Sequence, residues 1–466
     1  MGQQSFESTG EQTSGSSSSS PIWSTNLVDL MAENKGDRLV PAKPAAPVEK
    51  PNANGAGAAG QQCESSSIFN NIIDDVARRI FDPADLGDIA KLKTKYNCEI
   101  KASNDPWKYA KQALNKDDKD PYTSFLNEKD YSRFQDSVRG KVVGTGVTLV
   151  MPTALDDKTG ARPPLIVQDF DSTAARGQGL KPGDQILAVD GVGMSGKTWR
   201  DGLNALDGAE NSTAKVRILR NGVESDVQLK RTKEQVSNVE HKMVDGKFAH
   251  IRVKTFMHES TSAQIESAIL DNPKAQGYII DLRHNGGGLL DQAFTSASLF
   301  IKEGEVLSIK SRVPSDPSKP EYSMQTYALS KDLITAAQNN AKPKPYMPRH
   351  EDRVNKPVVV LVDQGTASAA EILAGALKDT DGAYVVGTPT YGKGVGQSVI
   401  PDLMSGGATK VTTFRYYTPS GFWPGDGHAT RIGIQPNLVV KNPEPSNYYT
   451  QNDGQLNAAI GYLRTK

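Results

Sequence analysis

Two stretches of this chain share one plan: an apolar run ends in a turn, and a helical pattern follows. In one, the run at 358–362 breaks at Asp363-Gln364-Gly365, and helix-spaced apolar residues continue to 377. In the other, residues 277–282 lead into the glycines 286–288 and then a helical segment at 289–300. Two strand-turn-helix units in one region predict an α/β core with a sheet and flanking helices.

Ser368 falls in the turn of the first unit, where a hydroxyl projects from the mouth of a sheet. Free N–H groups of the following helical turn can bind an oxyanion there. A serine needs a base, and none of the six histidines falls in a turn typical of a triad, whereas Lys393 lies in a glycine-rich loop after the next apolar run. The alternative is that Ser368 only caps a helix and that Lys393 is a solvated surface charge.

The segment Gly-Thr-Ala-Ser-Ala-Ala-Glu-Ile at 365–372 resembles the nucleophile segment of the carboxyl-terminal processing (tail-specific) serine proteases. In that family a lysine follows the serine at the spacing seen here between Ser368 and Lys393, and a glutamine four residues later matches Gln397. The resemblance implies that Ser368 is the nucleophile, Lys393 the general base and Gln397 the residue that orients the lysine. Thr366 and Ala370 stand where the family often has serines, and neither is expected to do chemistry.

The segment Asp-Leu-Arg-His-Asn-Gly-Gly-Gly at 281–288 resembles a second element of the family, with Gly286 in place of a proline. Successive glycines let the backbone approach a substrate carbonyl closely. The resemblance implies that the N–H groups of Gly287 and Ala369 bind the oxyanion, with Gly286 as the alternative in register. A structural alternative is that the glycines only permit a tight turn.

Three features follow one another within residues 135–235: Gly144-Thr145-Gly146-Val147, the Leu-Lys-Pro-Gly-Asp segment at 180–184, and two strands joined by Asn221-Gly222, a strong hairpin signal. With these features the segment resembles a PDZ domain. The resemblance implies that the backbone at Thr145, Gly146 and Val147 receives a peptide carboxylate, with a helix at 199–206 beside the groove. The alternative is a small β-rich domain that binds nothing.

The remaining domains follow from composition and pattern. Residues 1–64 are Ser-, Gly- and Pro-rich and are expected to be disordered, although Trp23, Leu27, Leu30 and Met31 could line a docking helix. Residues 65–134 are expected to form an N-terminal helical region, with one helix from residue 65 that stops at Asp82-Pro83 and a further helix at 106–114. Residues 236–466 form the catalytic domain, whose core is expected to be crotonase-like by resemblance. Within it we expect a helix at 329–339, and the long segment 314–355 is read as either a lid or a tether.

Composition excludes several function classes. The chain has 54 basic and 54 acidic residues, so it offers no basic field for nucleic acid, and it lacks an apolar run long enough to span a membrane. No cofactor and no metal site are expected, since Cys63 and Cys98 alone cannot hold zinc; whether they form a disulfide stays open. His428 lies in a Gly/Asp loop and is expected to be solvated.

The resemblance implies a serine endopeptidase with a Ser-Lys dyad, which processes or degrades proteins near their C-termini and recognises the substrate C-terminus through the PDZ domain. The alternative is a catalytically silent PDZ scaffold; an acyl-CoA enzyme on the same core does not account for the PDZ. Partners are protein or peptide substrates, with an adaptor or a homo-oligomer left open. The resemblance implies an extracytoplasmic location, periplasmic or secreted, although this sequence shows no signal peptide.

Overall fold

The computed structural model describes residues 66–103, 105–114, 120–150, 164–170, 177–197, 199–235, 237–313, 320–350, 354–402, 406–425, 431–444 and 447–466. All of them belong to one structural unit. The expected docking face at residues 23–31, Cys63 and His428 lie outside the described residues.

The described helices and strands are as follows. The helices are α1 (Ser67–Arg79), α2 (Ile89–Ser103), α3 (Pro106–Leu114), α4 (Glu128–Val138), α5 (Trp199–Leu206), α6 (Thr261–Leu270), α7 (Leu290–Ala297), α8 (Ala369–Thr380) and α9 (Gly454–Leu463), with a 3₁₀ turn at Pro83–Leu86. The strands are β1 (Ser124–Leu126), β2 (Lys141–Gly144), β3 (Val147–Val150), β4 (Leu165–Phe170), β5 (Gln185–Val189), β6 (Val192–Gly193), β7 (Thr213–Arg220), β8 (Val223–Lys230), β9 (Thr232–Gln235), β10 (Val239–Val244), β11 (Phe248–Val253), β12 (Gly277–Asp281), β13 (Gly304–Val313), β14 (Glu321–Leu329), β15 (Leu333–Gln338), β16 (Lys344–Pro348), β17 (Val358–Val362), β18 (Tyr384–Gly387), β19 (Val395–Pro401), β20 (Ala408–Tyr417) and β21 (Leu438–Val439).

A mainly parallel sheet carries both predicted strand-turn-helix units. Its order is β10-β11-β12-β17-β18-β21, and only β10 runs antiparallel to its neighbour. Every residue of β11, β12 and β17 is buried, as expected of parallel strands covered on both faces, and α9 packs against Ile279 and Val359. Because β12 and β17 are paired in register, Asp281 with Leu361, the turns that follow them lie side by side.

A second, antiparallel sheet supports the lysine loop. Its order is β1-β20-β13-β14-β15-β16, with β19 also paired to β20. The loop that contains Lys393 runs from β18 of the parallel sheet to β19 of this sheet, so it lies at the junction of the two. The turn that follows α1 is anchored to this sheet as well, since Phe81 donates its N–H to the Thr412 carbonyl at 2.7 Å.

The prediction of a helix at 329–339 is wrong. Residues Glu321–Leu329 and Leu333–Gln338 are antiparallel strands, joined by a tight turn in which the Ser330 N–H donates to the Leu333 carbonyl at 2.9 Å. The alanines at 336 and 337 favour a helix locally, but pairing with β14 and complete burial of Ile334 override that preference. The described part of segment 314–355 therefore extends the antiparallel sheet.

Residues between β2 and β9 form a separate sheet on a two-stranded stem. The sheet has the order β3-β4-β5-β7-β8, with β6 on β5, and the stem pairs Lys141–Gly144 with Thr232–Gln235. The predicted hairpin turn is confirmed, with Asn221 and Gly222 both at positive φ. The predicted helix at 199–206 is confirmed too, and it packs so closely that a Cβ on Gly202 would come 2.3 Å from Leu165.

Helices α1–α3 pack together with Phe125 and Val411 of the antiparallel sheet. The helix predicted from residue 65 is confirmed, with Ser66 as its N-cap, and α3 occupies 106–114 as predicted. Helix α2 was not anticipated, because its apolar residues are widely spaced among polar ones. Cys98 on α2 is disulfide-bonded. In the part of the chain described here, no helix is both long and apolar enough to cross a membrane.

Candidate active site

The strand-to-helix turn after β17 holds Ser368 in a rare backbone conformation. Ser368 is the N-cap of α8 and has φ 56° and ψ −121°. A positive φ is uncommon for a residue with a Cβ, and such conformations persist where the surrounding structure enforces them, often at functional sites. The predicted position of Ser368 at a strand-to-helix turn is confirmed.

Hydrogen bonds fix this turn to the neighbouring glycine turn. The Thr366 hydroxyl donates to the Leu282 carbonyl at 2.8 Å, and the Ala367 N–H donates to the Asn285 carbonyl at 2.9 Å. These bonds bring Gly287 against the serine, so that a Cβ there would lie 2.7 Å from the Ser368 Cβ. Gly287 also has φ 93°, which favours glycine, and the close approach leaves no space for a side chain.

The backbone N–H groups beside Ser368 are not all free. Ala369 begins α8, and its N–H has no acceptor among the described residues, as expected for a first helical residue. The Gly287 N–H, by contrast, donates to Asn285 Oδ1 at 2.9 Å, while the exposed Gly286 N–H has no acceptor in the described part of the chain. In this conformation Gly286, the alternative to Gly287 as oxyanion donor, is the glycine whose N–H has no acceptor among the described residues.

A buried carboxylate joins the serine turn to the lysine loop. Glu371, in the first turn of α8, is fully buried, and its Oε2 accepts the Ser368 N–H at 2.9 Å and the Lys393 N–H at 3.0 Å. Because they share one acceptor, those two nitrogens lie within about 6 Å of each other. Three further donors bind the same carboxylate: the Thr390 hydroxyl at 2.6 Å, the Gly392 N–H at 2.7 Å and the Tyr416 hydroxyl at 2.8 Å.

The Lys393 amine is in an environment that disfavours its charge. Burial, helped by the positive charge of Lys410, lowers the pKa of Lys393 to about 7, although Glu371 and Asp120 act in the opposite direction. The amine lies 5.0 Å from the centre of the Tyr122 ring. A lysine with this pKa is neutral in a large fraction of molecules near pH 7 and can accept a proton.

Gln397 holds the lysine without adding charge. The Lys393 amine donates to Gln397 Oε1 at 2.7 Å, and the Gln397 amide donates in turn to the Thr412 hydroxyl at 3.1 Å. Thr412 then donates to Asp120 at 3.1 Å. No hydrogen bond joins the Lys393 amine to the Ser368 hydroxyl in this structure, both residues being among those described.

Sequence reasoning assigned no role in the active site to Glu371, Tyr416, Tyr122 or Asp120, although it expected the segment that begins at Asp120 to tie the helical region to the catalytic core. Glu371 lies three residues after Ser368 and could have been noticed as a possible partner of the N-cap N–H, but its bonds to the lysine loop depend on tertiary structure. Burial and the adjacent Glu371 raise the pKa of Tyr416. The protonated phenol is therefore available as a donor to that carboxylate.

Of the residues predicted to bind a peptide terminus, Val147 begins β3 of the separate sheet, and Thr145 and Gly146 lie in the turn before it. Thr145 and Val147 are buried, and Gly146 has φ 63° at the turn that enters β3. Strand β3 is an edge of that sheet, and α5 packs beside it. Among the described residues no cluster of His, Cys, Asp and Glu could hold a metal ion.

Comparison with known proteins places this geometry in a family. The model of peptidase family S41 matches residues 247–440, which include both turns and the lysine loop. A carboxy-terminal-processing protease of Bartonella bacilliformis is 32% identical over 71% of this chain and 68% of its own length. The chain belongs to the S41 carboxy-terminal processing proteases. It is accordingly a serine-type peptidase that acts on protein substrates.

Two further relatives agree with this assignment. The carboxy-terminal processing protease CtpA of Bacillus subtilis is 29% identical over 70% of this chain and 62% of its own length. Among solved structures, the photosystem II D1 C-terminal processing protease superposes with a TM-score of 0.53 at 25% identity, covering 80% of this chain and 92% of that one.

Proposed function

We propose that this protein is a serine endopeptidase in which Ser368 and Lys393 form the catalytic dyad and which cleaves proteins near their C-termini. The observation that carries the proposal is the Lys393 amine, whose pKa burial lowers to about 7, in a loop bonded through Glu371 to the turn that presents Ser368. A neutral amine near pH 7 is what a general base requires.

The chemistry follows from these groups. Neutral Lys393 accepts the proton of the Ser368 hydroxyl as the oxygen attacks the scissile carbonyl, and the resulting ammonium donates that proton to the leaving amine. Ala369 and a glycine of the second turn, Gly287 or Gly286, donate N–H bonds to the oxyanion. Water then hydrolyses the acyl-enzyme with Lys393 again as base. For the first step the amine must move from Gln397 toward Ser368, an adjustment expected because catalytic hydrogen bonds often tighten only with substrate bound.

We assign substrate capture to the separate sheet as a PDZ domain. The free edge of β3 beside α5 supports this assignment, since an extended peptide can pair with such an edge while backbone N–H groups at Thr145, Gly146 and Val147 receive its carboxylate. The proposed divisions are the tail 1–64, the helical region 65–134, the PDZ domain 135–235 and a crotonase-like catalytic domain 236–466. An extracytoplasmic location and an adaptor or self-association belong to the same proposal.

A second candidate is a catalytically silent peptide-binding protein. The bond of Lys393 to Gln397 rather than to Ser368 is the observation that favours it. In that case the PDZ domain would still bind C-termini, but no acyl-enzyme would form.

A fluorophosphonate probe separates the two candidates. We expect stoichiometric labelling of Ser368 in the wild type, loss of labelling in Ser368→Ala and Lys393→Ala, and wild-type labelling in the control Ser225→Ala, which alters an exposed serine on β8. Mass spectrometry of an unfolded protein substrate should then show new C-termini with the wild type only. A folded wild type that neither labels nor cleaves would support the silent protein.

A further inference from the structure

A cavity of about 90 Å³ adjoins the proposed base on the side that does not include the nucleophile. It is lined by Lys393 and, among others, by Phe81, Tyr122, Arg415 and Trp423, but not by Ser368. Because it has room for several water-sized groups, it can admit part of a substrate.

The position of this cavity places it beside the part of the substrate that follows the scissile bond. In the proposed function, on which this inference rests, Lys393 donates its proton to the leaving amine. The base therefore lies beside the part of the substrate after the scissile bond. A cavity with Lys393 in its wall, but without Ser368, adjoins that leaving part.

Arg415 is the unusual residue in this wall. It lies on β20 opposite Val395, and its guanidinium is between two rings, 4.7 Å from the centre of Phe81 and 4.3 Å from that of Trp423. Trp423 is itself fixed, because its indole N–H donates to the Gly394 carbonyl at 2.8 Å. Arg415 Nε is buried and has no hydrogen-bond acceptor, and no carboxylate pairs with the guanidinium among the described residues.

Two acidic groups of the cavity accept hydrogen bonds from donors of their own. Asp120 accepts from the Thr123 hydroxyl at 2.5 Å and the Thr412 hydroxyl at 3.1 Å, among others. Asp82 accepts the Ala84 N–H at 3.0 Å. Both carboxylates are thus engaged, whereas Arg415 keeps a buried donor without an acceptor.

A second arginine adds positive charge to the same cavity. Arg431 is exposed and stacks 3.9 Å from the centre of the Tyr391 ring, so water can solvate it. Arg415 differs because its Nε is buried. A buried charged donor is stabilised strongly by an anionic acceptor, and a guanidinium whose neighbours are aromatic rings still has N–H groups for a carboxylate.

We propose that Arg415 binds a carboxylate in the part of the substrate that follows the scissile bond, and so selects substrates by the charge of the tail that is removed. The carboxylate is either the free C-terminus of a short tail or an acidic side chain close to the cut. An extended chain advances about 3.3–3.6 Å per residue, so a cavity of this size reaches only the first few residues of the tail.

The test uses peptides that share one cleavage site and differ only in the tail. Two-residue and eight-residue tails are made with a free acid or an amide at the C-terminus, and amidated two-residue tails are made with Glu or Gln. The enzymes are wild type, Arg415→Gln, Arg415→Lys and, as a matched control, Arg464→Gln. The control removes an arginine that caps the C-terminal end of α9 and pairs with Asp245. The readout is kcat/KM for each peptide, with kcat and KM separated.

In the wild type we expect the two-residue acid to be cleaved at least about 10-fold more efficiently than its amide, mainly through KM, if the C-terminus is the source of the carboxylate. If a side chain is the source, the Glu tail should exceed the Gln tail by a similar factor. Arg415→Gln should abolish the preference, Arg415→Lys should keep part of it, and Arg464→Gln should leave it unchanged. If the eight-residue acid is cleaved faster than its amide, this difference should remain in Arg415→Gln, because a C-terminus that far from the cut would be bound by a distant groove and not by Arg415.

Equal losses for charged and neutral tails in Arg415→Gln would overturn the proposal, because they would show that the arginine only supports the stack of rings. So would the absence of any charge preference in an active wild type. In both cases the neutral peptides are still cleaved, and the proposed peptidase function stands. If the wild type cleaves none of the peptides, the proposed function fails, and the role of Arg415 falls with it.

Discussion

Glu371→Gln is the substitution that most clearly separates structural support from chemistry at this site. Glu371 touches no substrate in the proposed mechanism, but it accepts N–H groups from both the serine turn and the lysine loop. Glutamine has the same shape, with one oxygen replaced by an NH₂ group that cannot accept a hydrogen bond. Whichever way the amide is oriented, at least one backbone donor then faces another donor.

The size of the effect follows from counting those donors. An NH₂ group at the Oε2 position leaves the Ser368 and Lys393 N–H groups and the Tyr416 hydroxyl without their acceptor, whereas at the Oε1 position it does so for the Gly392 N–H and the Thr390 hydroxyl. A hydroxyl can rotate and accept from the NH₂ group instead, so in the better orientation the Gly392 N–H is the one donor left unsatisfied. A buried unsatisfied donor costs about 1–3 kcal/mol, so the better orientation lowers the free energy of unfolding by about 1–3 kcal/mol. A displacement of the lysine loop by about 1 Å can reduce kcat by about 100-fold.

Urea unfolding and peptide hydrolysis should be measured on the same preparations. We expect a lower unfolding free energy, a kcat reduced by about 10- to 100-fold and a nearly unchanged KM, because we assign substrate capture to the separate sheet. Glu224→Gln, on exposed β8, is the matched control and should change neither quantity. If Glu371→Gln were as stable and as active as the wild type, the carboxylate would not be what holds the two loops together.

Three further predictions follow from the site and its surroundings. Gln397→Glu should raise the pKa of Lys393 through a new negative charge near its amine, shifting the rise of activity to higher pH and lowering the rate at pH 7 by about 10-fold; an unshifted profile would contradict this. Amidating a peptide C-terminus should weaken its binding to Ser368→Ala by about 10-fold in calorimetric titration, and equal affinities would rule out carboxylate capture. Burial acts to raise the pKa of Asp363, but the ion pair with His284 prevails and lowers it. This carboxylate therefore adds to the free energy of unfolding above its unfolded pKa of about 3.9, and the contribution is lost as pH falls further. In Asp363→Asn the free energy of unfolding should fall less steeply with acid than in the wild type, and an equally steep fall would refute the assignment.

Local sequence patterns were sufficient for the elements that form the site. The apolar run of β17 and the helical spacing after Ser368 are local features, and the structure has both at the expected positions. The resemblance to the protease family implied the dyad of Ser368 and Lys393 with Gln397 beside it, and the structure brings Lys393 and Gln397 within hydrogen-bond distance. The sequence could therefore predict which side chains form the site.

The rest depends on contacts between distant parts of the chain. The role of Glu371 depends on the lysine loop folding back onto α8, which no local pattern encodes. The alanine-containing segment 333–338 favours a helix by itself and becomes a strand because β14 pairs with it. Likewise, Gly287 and Gly286 are adjacent and of one type, so only the position of the Asn285 side chain distinguishes their N–H groups.

The central claim, that Lys393 is the base for Ser368, is tested most directly by the pH dependence of kcat/KM in the wild type and in Lys393→Arg. Burial lowers the pKa of Lys393 to about 7, so activity should rise with pH through an ionisation near that value and then level off. Lys393→Arg should be inactive at every pH, since a guanidinium stays protonated. A rise near the ordinary lysine pKa of about 10.4, or near-wild-type turnover in Lys393→Arg, would contradict the Ser-Lys mechanism.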